Sequence, residues 1–266
     1  MGEKTSIAWT DRSWNPWQGC HKVTLGCQQC YMFRDKIRYG QNPDVVVRSK
    51  PPTFNAPLSR KWNQENAAGQ RVFVCSWSDF FIEEADPWRA EAYAIMASTP
   101  WLTYQILTKR PERIDGRWAF LPNVWLGVTA EDQAMADLRI PQLLAVPAAV
   151  RFVSCEPLLG EVDLDCWSES GCPRGWLDDS PGLNMVITGG ESGPRARPMQ
   201  TVWARAIRDQ CRAAGVPFFF KQLGEWRDEC TCDGEPHEQM AGMYRCGCEV
   251  CGDLLDGQQY HEFPAQ

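Results

Sequence analysis

Cys20, Cys27 and Cys30 are the residues whose type and spacing promise chemistry. They stand in Gly19-Cys20-His21-Lys22-Val23-Thr24-Leu25-Gly26-Cys27-Gln28-Gln29-Cys30-Tyr31, a C-x6-C-x2-C pattern with glycine beside two of the thiols. Three thiols this close in a loop can fold around one soft metal centre. A closed structural zinc site takes four protein ligands, whereas three leave a position open. A 4Fe–4S cluster held by three cysteines would likewise keep one iron free for a ligand. Two other readings stay open here: a zinc knuckle, for which neighbouring His21 would have to reach the same ion, and three unligated thiols.

A second set lies near the other end. Cys230, Cys232, Cys246, Cys248 and Cys251 bracket His237 in a segment rich in acidic residues. The C-x-C and C-x2-C spacings suit a tetrahedral zinc site that would help fold a small appendage with few apolar residues. An auxiliary iron–sulfur cluster and unliganded thiols are the alternatives. Thirteen cysteines in 266 residues, with no hydrophobic signal at the start, lead us to expect a cytoplasmic protein with metal-binding rather than disulfide-forming thiols.

The elements that must position these residues are legible as short apolar runs, each ending in a polar cluster. Arg71–Cys75 runs into Ser76, Ser78 and Asp79; Leu102–Leu107 into Thr108, Lys109 and Arg110; Val124–Val128 into Thr129 and Glu131. Val150–Val153 leads to Ser154 and Glu156, Asn184–Ile187 to Gly189, Gly190 and Glu191, and Val216–Phe220 to Lys221 and Gln222. An earlier run, Ile7–Trp9, precedes the first cysteines. Continuous apolarity predicts strands buried on both faces, hence a parallel sheet. Helical patterns over Cys30–Tyr39, Pro87–Ser98 (capped by Asp86), Ala130–Ala145 and Thr201–Ala214 fill gaps between them. The alternation predicts an α/β fold, a full or partial TIM-like (β/α) barrel over residues 1–228, with a Cys-rich appendage over 229–266. In such a barrel the carboxyl ends of the strands meet at one mouth, so the polar clusters would share a site. Trp9, Trp14 and Trp17 read as packing beneath the cysteine loop.

Charge narrows the partners. The chain carries −7 overall, but residues 1–74 carry +6 and residues 225–266 carry −8. An acidic whole disfavours indiscriminate phosphate binding, while the basic first quarter permits an anionic substrate or a local nucleic-acid contact. The composition excludes disordered and collagen-like chains, and no apolar run is long enough to span a bilayer.

Taken together, Trp14–Tyr31, SWSDFF (76–81), LTKRP (107–111), GVTAED (127–132), SCEPLLG (154–160), GGESG (189–193) and FFKQLGEW (219–226) resemble a phage- and prophage-associated family of unknown function related to radical S-adenosylmethionine (SAM) enzymes. The resemblance implies a partial barrel with a 4Fe–4S cluster on Cys20, Cys27 and Cys30 and SAM on the free iron. Reductive cleavage of SAM would then yield a 5′-deoxyadenosyl radical. It implies Ser76, Ser78, Asp79, Thr129, Glu131, Ser154, Gly189 and Gly190 as cofactor contacts. Lys109, Glu156, Glu191 and Lys221 become the catalytic candidates, with Arg110 among the groups that neutralise a carboxylate or an anionic substrate. An electron-donor protein is implied as a partner. Two features depart from the common pattern: the first gap holds six residues rather than three, and Gln29 stands where an aromatic usually precedes the last cysteine.

The substrate expected is a nucleic acid or nucleotide, on the strength of the basic first quarter and of Arg195, Arg197, Arg205 and Arg208. Two other function classes compete. A zinc-stabilised barrel would bind nucleic acid or a partner protein without radical chemistry. A hydrolase or base-modifying enzyme would use Asp79, Glu131, Glu156 and Glu191 as acid and base groups.

Overall fold

A computed structural model describes residues 5–63, 67–114, 121–165, 175–177, 181–228, 238–247 and 251–265. The chain divides into two compact units. The first is Met1–Val128 with Ala145–Arg151, the second Thr129–Leu144 with Phe152–Gln266.

In the first unit β1 (Arg12–Trp14), β2 (Arg71–Val74), β3 (Thr103–Thr108) and β4 (Val124–Thr129, its last residue in the second unit) pair in parallel. Every residue of β4 is buried, as its unbroken apolar run predicts. The helices of eight residues or more are α1 (Tyr31–Arg38) and α2 (Asp86–Ser98). The first strand is not Ile7–Trp9, as the sequence suggests, but Arg12–Trp14. Its residues align with Val72–Val74, and long-range pairing overrides the apolar signal of Ile7–Trp9, which forms a turn. Asp86 likewise is the first helical residue of α2 and not its cap; Ala85 takes that position, and Asp86 receives Arg89 and Arg113.

The tryptophans near the cysteine loop are packed, as expected. Trp9, Trp14 and Trp17 are all buried. The Trp14 indole N–H donates to the carbonyls of Thr53 and Phe54, and Trp17 donates to that of Asp79.

In the second unit β5 (Val150–Cys155, its first two residues in the first unit), β6 (Met185–Gly189) and β7 (Phe218–Gln222) pair in parallel. The helices are α3 (Gln133–Leu144) and α4 (Thr201–Ala214), the latter ended by Gly215 at φ 68°. Within each unit the strands follow chain order with no reversal, β1 through β4 and β5 through β7. Such an order fits the repeats of a (β/α) barrel, whereas a doubly wound sheet reverses at a switch point.

Trp226–Arg227, Gln239–Met240 and Met243–Arg245 form a small antiparallel sheet that straddles residue 228. The tail then lies antiparallel along β7. Phe220 N–H donates to Tyr260, Glu262 N–H donates to Phe218, and His261 stacks on Phe219 at 4.4 Å. An edge strand that would otherwise expose its backbone is thereby covered. Among the described residues no helix is long and apolar enough to cross a membrane.

Candidate metal and cofactor site

The cysteine loop leaves β1 and is pinned from two sides. Gly19 N–H donates to Trp77 O, Cys20 N–H to Pro43 O, and the Ser78 hydroxyl to Gly19 O at 2.6 Å. Gly19 sits at φ 100°, where a Cβ would lie 2.2 Å from Val45 O, so the position requires glycine. Cys27 ends a 3₁₀ turn, Leu25–Cys27, and Cys30 immediately precedes α1. Cys27 is buried, Cys20 and Cys30 half-buried.

Two of the three thiols respond to the third. The negative charge of Cys27 raises both of its partners. Burial, aided by Asp79 and opposed by Arg110, pushes the Cys20 thiol up to about 12, and burial raises Cys30 as well. Thiolates here therefore need a cationic centre to offset desolvation, which a metal supplies. Among the described residues no three His, Cys, Asp or Glu side chains meet at the spacing of a single ion. A four-iron cluster is several ångströms across and asks its thiols to surround it rather than converge. The soft, all-sulfur donor set on one short loop fits such a cluster. His21, offered by the sequence as a zinc ligand, is tied instead to Glu84 at 2.5 Å and faces Asp44 at 3.9 Å.

Ser76, Ser78 and Asp79 stand at the end of β2, beside this loop, and each already has protein partners. Ser76 exchanges hydrogen bonds with the Asn15 side chain, whose Oδ1 also takes Trp77 N–H at 2.8 Å, and Tyr31 OH donates to Ser76 O. The Asp79 carboxylate receives the Thr108 hydroxyl at 2.7 Å, the N–H groups of Phe81 and Lys109 at 2.9 Å, and Arg110 at 3.1 Å. Sequence reasoning missed Asn15; its one signal was its place in Trp14-Asn15-Pro16-Trp17, just ahead of the cysteines.

The second unit collects other candidates. Strand register puts Ser154 beside Ile187 and Phe219, on the sheet face opposite Cys155 and Thr188. Cys155 lies within electrostatic reach of Cys211 on α4, so Ser154 faces away from that helix. Lys221, at the register shift between β6 and β7, is ion-paired with Glu156, and a Cβ on Gly189 would lie 3.3 Å from that of Lys221. The Ser154 hydroxyl is buried with no hydrogen-bond partner among the described residues. An orphaned buried hydroxyl costs about 1–3 kcal/mol unless a ligand or water meets it.

The remaining candidates are committed elsewhere. Gly190 is needed because its Cβ would stand 2.1 Å from Leu223 O. Glu191 accepts three hydrogen bonds from Arg197. Thr129 and Glu131 are buried, and Arg139 donates to the Thr129 carbonyl at 2.7 Å and to the Glu131 carboxylate at 2.8 Å. Glu131 is fully buried and the Arg139 side chain 3 % exposed, so Glu131→Ala is expected to cost about 3–5 kcal/mol by stranding a buried guanidinium. Urea denaturation measures this; a loss under about 1 kcal/mol would mean water reaches the pair.

Of the four arginines proposed to meet an anionic substrate, three are ion-paired: Arg197 with Glu191, Arg205 with Asp228 and Asp256, Arg208 with Asp209 and Asp256. Arg195 is exposed. In the C-terminal cysteine set, Cys246 N–H donates to Glu225 O and Cys251 N–H to Gly247 O. Cys230, Cys232, Cys248 and His237 lie outside the described residues.

Comparison with known proteins gives one family and one fold. The family model described as "Protein of unknown function (DUF5131)" matches residues 4–264. No curated protein matches the chain. Among solved structures, a cysteine-to-serine variant of spore photoproduct lyase is similar at a TM-score of 0.51 and 13 % identity, over 94 % of this chain and 72 % of that one. Spore photoproduct lyase complexed with dinucleoside spore photoproduct gives a TM-score of 0.45 at 13 % identity, over 88 % and 68 %. At this identity the likeness speaks for the fold alone.

Proposed function

This chain belongs to the DUF5131 family of proteins of unknown function, and we propose that it is a radical SAM-type iron–sulfur enzyme. The observation that carries the reading is the cysteine loop itself. Three thiols stand on one loop pinned by backbone and side-chain bonds, which follows the first strand of the parallel sheet in the first unit. Cys20, Cys27 and Cys30 would hold a 4Fe–4S cluster whose free iron, when loaded, supplies reductive cleavage of SAM.

The protein's own groups bind and orient. Trp14 and Trp17 are buried near the loop, and the Trp17 indole N–H donates to the Asp79 carbonyl. Ser76, Ser78 and Asp79 hold the loop through backbone and side-chain bonds, so their part is to fix the cysteines in place. Lys109, within electrostatic reach of Cys30, supplies positive charge for a carboxylate at that centre. In the second unit the unpartnered Ser154 hydroxyl and the Lys221–Glu156 pair are the groups with capacity for a polar ligand. Asp79, Glu131, Glu156 and Glu191 are each bound to a basic side chain. That arrangement serves a hydrolase's acid and base groups poorly, because the carboxylate oxygens are already engaged by those partners.

The substrate we favour is a nucleic acid or nucleotide. The basic first quarter supports it, and the similarly folded lyase is named for a photoproduct. The test is anaerobic reconstitution with iron and sulfide, followed by reductant and SAM. About four irons per chain and formation of 5′-deoxyadenosine are expected. Colourless protein retaining only zinc after reconstitution would sink the proposal.

A further inference from the structure

Arg110 lies 90 residues from Cys20 in sequence, yet its guanidinium is spent on the cysteine loop. One arm, Nη2, donates to the His21 carbonyl at 2.9 Å. The other, Nη1, lies 3.1 Å from Asp79 and donates to the Cys20 sulfur at 3.8 Å. The side chain is 10 % exposed and that of Asp79 7 %, so water screens neither much. Holding the loop needs only the bond to His21 and the pair with Asp79. A donor aimed at sulfur matters most when that sulfur carries negative charge, as a metal-bound thiolate does.

We propose that Arg110 is a positioning residue that sets the reduction potential of the cluster on Cys20, Cys27 and Cys30. The inference rests on the iron–sulfur reading above. Arginine stays protonated at any working pH, so its N–H group and residual charge are permanent features of the site. An electron delivered by a low-potential one-electron donor adds negative charge that spreads onto the cysteine sulfurs. The Arg110 N–H···S bond strengthens as that charge arrives, stabilising the reduced form and raising the potential. Asp79 offsets part of the positive charge and orients the fork, which keeps Nη2 on His21 and Nη1 on Cys20.

The experiment is a potentiometric titration of the reconstituted protein with dithionite and mediators, read by the electron paramagnetic resonance signal of the reduced cluster. Iron content and thermal melting are recorded alongside. At a fixed applied potential Arg110→Gln is expected to lower the ratio of reduced to oxidised cluster about tenfold, equivalent to about 59 mV for a one-electron couple. Arg110→Lys keeps the charge without the fork, so its shift should be smaller and of the same sign. Arg113→Gln removes a nearby arginine that bonds Phe81 and Asp86 and touches no cysteine, and should leave the ratio unchanged.

Loaded variants whose ratios match wild type within about twofold would overturn the inference while leaving the cluster reading intact. Loss of iron from both Arg110 variants would also overturn it, since the contact would then be purely structural. Failure of the wild-type protein to take up iron would remove the reading beneath it. If Arg110→Gln alone fails to fold, the Lys variant decides.

Discussion

Cys20→Ala, Cys27→Ala and Cys30→Ala are each expected to leave anaerobically reconstituted protein without its iron and without 5′-deoxyadenosine formation. Ligand count is the reason. A cluster bound by three thiolates has no spare protein ligand, and two thiolates cannot hold it against chelation and oxidation. The control is Cys75→Ser. Cys75 is close enough for Cys20 to raise it electrostatically, but it is buried just after β2, and burial holds its thiol well above the usual range. It should keep its iron. The measurement is iron and sulfide analysis with the absorption spectrum of each variant. Retention of four irons by any of the three loop variants, or loss in the Cys75 control, would mean the ligand set is wrong. Residual zinc in the triple Cys20→Ala/Cys27→Ala/Cys30→Ala variant would point to the C-terminal cysteines as a second, separate site.

Asp79→Ala is expected to cost about 3–5 kcal/mol of stability. The carboxylate gathers four donors in a setting that is 7 % exposed. Removing it strands the Arg110 guanidinium without its counter-charge and leaves the N–H groups of Phe81 and Lys109 without their acceptor. Those groups tie the end of β3 to the loop after β2, and through Ser78 and Arg110 to the cysteine loop. Stability and iron uptake should therefore fall together. Urea denaturation of the unloaded protein separates the two effects. A loss under about 1 kcal/mol would mean the network is hydrated and contributes little to holding the cysteines.

Some structural signals survive in one dimension. The runs Val124–Val128 and Asn184–Ile187 announced strands because burial on both faces leaves an unbroken apolar stretch, and both strands are buried throughout. Thr201–Ala214 was bounded correctly because Gly215 takes the left-handed conformation that ends a helix. Arg12–Trp14 was missed because a three-residue strand has no periodicity, and its partner lies some 60 residues away. Glu131 and Glu191 looked like mouth residues because charge near a strand end usually faces solvent. Their partners Arg139 and Arg197, which take them out of solvent, carry no local mark of doing so.

The same division runs through the site. Local sequence determined the donor set: three thiols at a spacing a loop can wrap around one soft centre, glycine where the backbone must pass close to Val45, and parallel strands taken in order. Thiol softness, glycine's conformational range and the burial of apolar runs are properties of residue type and near neighbours, so they are written in the chain. Only the tertiary structure decided that Asp79 and Arg110 would serve the loop rather than stand open to a ligand. It also decided that Ser154 would be left without a partner and that Lys221 would meet Glu156. Those outcomes depend on which side chains distant segments bring within hydrogen-bonding range. Desolvation then makes each such meeting either paired or costly, and no spacing along the chain encodes it.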